Sequence, residues 1–118
     1  MRFVNLTPHA IVIRTLTVEP SGQVARVATG SRDAQPVALA NGIVVPCQVK
    51  TTGAVTGLPK YGDEAGTVYL VSGTVLAALR ESGTARDDVA APSTGPDDGA
   101  IRDDAGRIVA VTRLDVLS

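Results

Sequence analysis

Aromatic side chains are nearly absent from this 118-residue chain: there is no tryptophan, one phenylalanine (Phe3) and two tyrosines (Tyr61 and Tyr69). Apolar residues still make up 44% of the chain against 19% charged. A core can therefore form, but it must be built from Val, Leu, Ile and Ala. Such a core buries less area per residue than an aromatic one, which makes self-association a reasonable further source of stability. A single cysteine, Cys47, excludes an intrachain disulfide. With one histidine, His9, beside it, the ligands for a structural zinc are also missing. Met1–Asn5 holds no apolar signal core, and no apolar run approaches the ~20 residues of a membrane span. The expectation is a cytoplasmic protein with one domain over 1–118.

Net charge is −1, but the charges are unevenly spread. Residues 1–60 hold six basic groups and two acids, whereas residues 81–106 hold seven acids and two arginines. Neither stretch makes a domain-wide basic face with a reading element, so duplex nucleic acid is not an expected partner. A small anion needs only two or three arginines, and these are present.

Along the chain, residues 2–5 read as a short strand broken by Thr7-Pro8. The β-branched run 10–18 predicts one long strand, Pro20-Ser21-Gly22 a turn, and residues 23–28 its hairpin partner. Residues 30–36 read as loop, Val37–Leu39 as a short strand, and Asn41-Gly42 as a hairpin turn. In 43–50, Ile43, Val45, Cys47 and Val49 share one face, which places Cys47 in the core. Pro46 predicts an edge or a bulge. Residues 53–66 read as loop or broken strand, and 67–71 as a strand covered on both faces. Ser72-Gly73-Thr74 opens the only convincing helix, running to about Ser82 with Gly83 as its C-cap. Residues 84–100 predict a long loop, and 107–114 a closing strand. The fold class is β-rich α+β: a twisted, mostly antiparallel sheet or partial barrel with one short helix.

The leading candidate site is the strand-to-helix junction. A helix N-terminus offers unpaired N–H groups and a positive dipole end. Gly73 permits close approach, and Ser72 and Thr74 add hydroxyls; plain N-capping uses the same residues. The lysine and further glycines of a phosphate-binding Walker loop are missing. From the long loop, Arg86, Thr94 and Arg102 could add guanidinium and hydroxyl contacts, although the arginines could equally neutralise their acidic neighbours. The pairs Asp87-Asp88, Asp97-Asp98 and Asp103-Asp104 lack the alternation and distal Glu of a calcium loop and suit β-turns, so no metal or cofactor is expected. His9 could act as a general base or simply order the turn that Asn5 and Thr7 shape.

The motifs Val4-Asn5-Leu6-Thr7-Pro8-His9, Gly22-Gln23-Val24-Ala25-Arg26-Val27, Gly57-Leu58-Pro59, Val68-Tyr69-Leu70-Val71-Ser72, Arg86-Asp87-Asp88 and Ala100-Ile101-Arg102-Asp103 with Gly106 cover most of the chain. Together they resemble a family of short bacterial and phage proteins with an N-terminal Asn-Leu-Thr-Pro-His motif. The resemblance implies a phage or mobile-element setting and no particular reaction. The chain's richness in Ala, Val, Gly, Thr and Arg, with only two lysines, fits that setting.

The functional expectation is a non-enzymatic binding module for a small anionic, nucleotide-derived ligand, working as a homo-oligomer; one version is sequestration of a signalling nucleotide. Its site would join Ser72, Gly73 and Thr74 to Arg86, Thr94 and Arg102. The alternatives are an assembly module using the edge strand near Pro46 or the acidic loop, and a small hydrolase using His9.

Overall fold

The computed structural model describes residues 1–117. Ten strands and one helix follow one another as β1 (Arg2–Asn5), β2 (Ile11–Ile13), β3 (Leu16–Val18), β4 (Arg26–Ala38), β5 (Val44–Thr56), β6 (Thr67–Leu70), α1 (Gly73–Glu81), β7 (Val89–Pro92), β8 (Ile101–Arg102), β9 (Ile108–Ala110) and β10 (Leu114–Val116). This is a β-rich α+β fold with one short helix. The strands form one four-stranded sheet, ordered β1-β6-β7-β10, and three two-stranded antiparallel ones.

The central sheet is mixed. β1 and β7 flank β6 in parallel, and β10 closes the far edge antiparallel to β7. β6, α1 and β7 thus make a parallel strand–helix–strand crossover. The near-continuous apolar run 67–71 suits a strand covered on both faces, and Leu70 and Val71 are wholly buried. α1 lays Val75, Leu76 and Leu79 over the sheet, with Leu6, Ala25, Tyr69, Val89 and Ala91 completing the core. A nine-residue helix is marginal alone, so this docking is what holds it. Ser72 caps its first turn by accepting from the Val75 N–H, and Gly83 leaves it at φ +73°.

Three parts of the chain depart from the sequence reading. The run 10–18 is two strands: the chain reverses at Arg14, φ +56°, and Ile13 pairs with Leu16. Residues 84–100 are a loop only in part, because Val89–Ala91 enter the sheet as fully buried β7. The closing strand 107–114 is divided between β9 and β10.

The largest departure is residues 26–56. Residues 23–28 do not pair with 10–18, and 30–36 are not loop. β4 and β5 instead form one long hairpin around the Asn41-Gly42 turn, with Arg26 opposite Thr56 at its foot and Ala38 opposite Val44 near its tip. The register shifts between Ala34 and Val37, opposite Pro46, which is the bulge that this proline predicts. The foot is anchored by Val27 and Val55 against the core; the rest projects as an arm. The radius of gyration is 17.9 Å, where a compact chain of this length has about 13–14 Å. Cys47 consequently lies on the arm, half-buried and outside the core. Its apolar strand face is real, but no described residue covers it: Val37, Val45 and Val49 remain exposed.

Candidate functional site

Parallel sheets gather ligands beyond the carboxyl ends of their strands, where helices begin. Here β1 ends at Asn5 and β6 at Leu70, side by side. The chain leaving β1 is held in place by the Asn5 side chain, which is 1% exposed. Its Nδ2 donates to the carbonyls of His9 (2.8 Å) and Val18 (3.0 Å), while its Oδ1 accepts from the Thr7 N–H (2.9 Å) and the Thr7 hydroxyl (2.6 Å). Thr7 Oγ1 also lies 2.9 Å from the His9 carbonyl. Backbone bonds then lock Leu6 between Leu70 and Ala25. The Asn-Leu-Thr-Pro-His motif is therefore a folding device: one buried amide ties β1, β3 and the turn between them.

Between this turn, the foot of the arm and the start of α1 lies a cleft of about 320 Å³, within the size range of small-molecule sites. Its polar lining is Thr7, Arg26, Thr29, Ser72 and Thr74, with Val75 at the helix start; no carboxylate lines it. Arg26 is exposed and forms no ion pair or side-chain hydrogen bond among the described residues. The Ser72 hydroxyl serves the Val75 N–H, so the first free amides belong to Gly73 and Thr74. A Cβ placed on Gly73 would meet nothing within 4 Å, so this end of the helix is open to an incoming group. Guanidinium charge, positive helix end and hydroxyls without a competing acid make a cleft that favours anions.

Of the residues expected to gather here, Ser72 and Thr74 line the cleft and Gly73 stands between them; the three from the 84–102 segment do not. Arg86 is committed elsewhere: Nε and Nη2 each lie 2.8 Å from an oxygen of Asp88, and both side chains are mostly buried. That bidentate bond holds the guanidinium protonated even more firmly than usual, against a smaller opposing effect of burial. The Tyr61 ring stacks on Arg86 at 5.4 Å and donates its hydroxyl to Asp87, which raises the phenol above its ordinary pKa. Thr94 is exposed beside β9, near a loop that closes on itself through Gly95 and Asp98. Arg102 lies exposed in β8, and its Nη1 donates to the Gly106 carbonyl at 2.8 Å.

The cation that does face the helix start is Arg26, which no motif in the sequence singles out as a ligand group. Its only signals were the basic excess of residues 1–60 and its place in the Gly22–Val27 motif; its distance to α1 depends on how the arm is anchored. His9 is exposed, and its ring finds no hydrogen-bond partner among the described residues; only its carbonyl is used. Among the described residues no carboxylate lies within ion-pair distance of the His9 ring. Among the described residues no three His, Cys, Asp or Glu side chains converge on a metal-sized space, and no helix is long and apolar enough to cross a membrane. No protein-family model, curated protein or solved structure matches this chain.

Proposed function

We propose that this chain is a non-enzymatic binding module for a small anionic ligand of the nucleotide class, held in the cleft between Arg26 and the start of α1. The observation that carries the reading is the composition of that cleft: one uncommitted guanidinium, two free helix amides and several hydroxyls, with no acid among the lining residues. Phosphate oxygens suit such donors, because amides and guanidinium form charge-assisted bonds to them. Turnover finds less support, since the cleft holds no general acid or base. Calorimetric titration with ADP tests the reading. Wild-type protein is expected to bind, and R26A to bind at least tenfold more weakly, about 1.4 kcal/mol, with an unchanged melting temperature. No binding by wild type, or equal affinity of R26A, overturns it.

A second reading, assembly through the arm, is favoured by a separate observation. The paired residues Arg32/Val49, Ala34/Cys47 and Val37/Val45 put a mainly apolar strip on one face of the arm, where the three valines are 39–50% exposed. A two-stranded ribbon with an uncovered apolar face is marginal by itself and gains from a covering partner. Sedimentation velocity on the full chain tests this: an oligomer is expected, and a monomer at all accessible concentrations overturns it.

A further inference from the structure

Among the described residues, the apolar face of the arm is a first uncovered aliphatic surface. The second is a groove of about 170 Å³ between β2, β7 and β9, lined by Ile11, Val12, Pro92, Ile108, Val109 and Val111 among others. No charged residue lines it, and Ile101, Ile108 and Val109 around it remain 37–49% exposed. From these surfaces we infer that the occupant of the groove is the arm of a second copy, its Val45–Cys47–Val49 face lying against β9, with the contact made reciprocally about a two-fold axis. The inference rests on the assembly reading and names its geometry.

Three observations select this occupant over a face-to-face pairing of two arms. The first is charge. On the aliphatic face of the arm the charged residue is Arg32, with Lys50 and Asp33 on the opposite face and Arg26 at the foot, whereas residues 97–116 around the groove carry five acids and three arginines. Arm on arm brings Arg32 of one copy toward Arg32 of the other; arm on groove brings it toward a segment of net negative charge. The second is supply: the described residues offer a long aliphatic strip and an aliphatic groove, and reciprocal docking covers both on both copies, whereas paired arms leave each groove open. The third is reach. Thirteen residues per strand at about 3.3 Å each extend roughly 40 Å, enough to carry the strip from its anchor at Val27 and Val55 across a neighbouring copy.

Asymmetry between the faces of the arm makes the docking directional. Val44, Gln48 and Lys50 lie on the opposite face with Ala38, Asp33 and Ser31, so only one side has an aliphatic strip to bury. The single cysteine sits in the middle of that strip, opposite Ala34, and provides a probe of what it touches.

Cross-linking by mild oxidation of the full-length chain decides the geometry. V109C should form a disulfide-linked dimer between Cys47 of one copy and position 109 of the other; the band should be absent from wild type and from V109C/C47S. Sedimentation should show wild type and V44D as dimers, and V45D and V49D as monomers with the same far-UV spectrum. Because V45D and V49D alter exposed positions, loss of the dimer without loss of fold is the expected pattern. A Cys47–Cys47 dimer in wild type overturns the groove as the docking site in favour of paired arms. A wild-type dimer with no V109C cross-link overturns the groove alone, and a wild-type monomer overturns the assembly reading with it.

Discussion

Replacing Asn5 by alanine removes the one side chain that ties the end of β1 to the turn before β2 and to β3. Two donor bonds and two accepted bonds disappear, all between 2.6 and 3.0 Å. Each such bond contributes a net ~0.5–1.5 kcal/mol, and a buried partner left without one costs ~1–3 kcal/mol. The groups left behind keep some access to water, since His9 is exposed and Thr7 and Val18 are half-buried, so water can partly replace the amide there. The expected loss is therefore about 2–4 kcal/mol, well below the sum of four full penalties. For a domain of this size that corresponds to a fall in melting temperature on the order of 10 °C. Urea unfolding followed by far-UV circular dichroism is the suitable assay, because the chain has no tryptophan to report by fluorescence. The midpoint should fall with the slope unchanged. N5D should cost at least as much, since it deletes the Nδ2 donor and sets a buried anion against two carbonyls. A loss below ~0.5 kcal/mol for N5A, the range of ordinary surface changes, would refute the reading of this motif as a structural tie.

Other outcomes follow from local geometry. Gly57 sits at φ +81°, and a Cβ there would lie 2.3 Å from the Val24 carbonyl oxygen; G57A should lose several kcal/mol in the same assay, whereas G73A, with open space around its Cβ, should not. S72A removes the acceptor for the Val75 N–H and should cost about 1 kcal/mol, read as a lower urea midpoint. Hydrogen bonding to Asp87 raises the Tyr61 phenol above 10, so D87N should shift the ultraviolet titration of Tyr61 downward. A phenol whose folded pKa is raised contributes stability that is intact below its unfolded pKa and fades as pH climbs through the folded value; wild type should therefore lose stability relative to D87N only in the alkaline range above about pH 10.

The parts of this fold that were legible from sequence are those where local chemistry and tertiary role agree. Asn41-Gly42 gives a hairpin turn, Pro46 a bulge, and Ser72 with Gly83 both ends of the helix, because capping and turn preferences act within a few residues. The reversal at Arg14 had no such signal: no glycine or proline marks it, and the positive φ falls on an arginine. β7 is hidden because Val-Ala-Ala is a weak strand sequence between acidic and proline-rich flanks, and its burial comes from α1 and from β6 and β10 on either side. Gly30-Ser31-Arg32-Asp33 has turn composition and predicts loop over 30–36; only pairing with β5 makes these residues a strand. The site was legible in the same uneven way. Ser72, Gly73 and Thr74 are neighbours in sequence and could be grouped at once. Their cation could not, since forty-six residues and the whole arm separate Arg26 from Ser72, and a local charge count favoured Arg86, which Asp88 already neutralises.

The central claim is that negative charge is held where β6 hands over to α1, facing Arg26. A titration of uniformly labelled protein with ADP, followed through backbone and arginine N–H resonances, tests it most directly. The amides of Gly73 and Thr74 and the side-chain N–H of Arg26 should shift together along one saturating curve, with Gly83 at the far end of the helix unmoved. Shifts confined to Arg86, Thr94 or Arg102, or no saturable shift at Gly73, would contradict it.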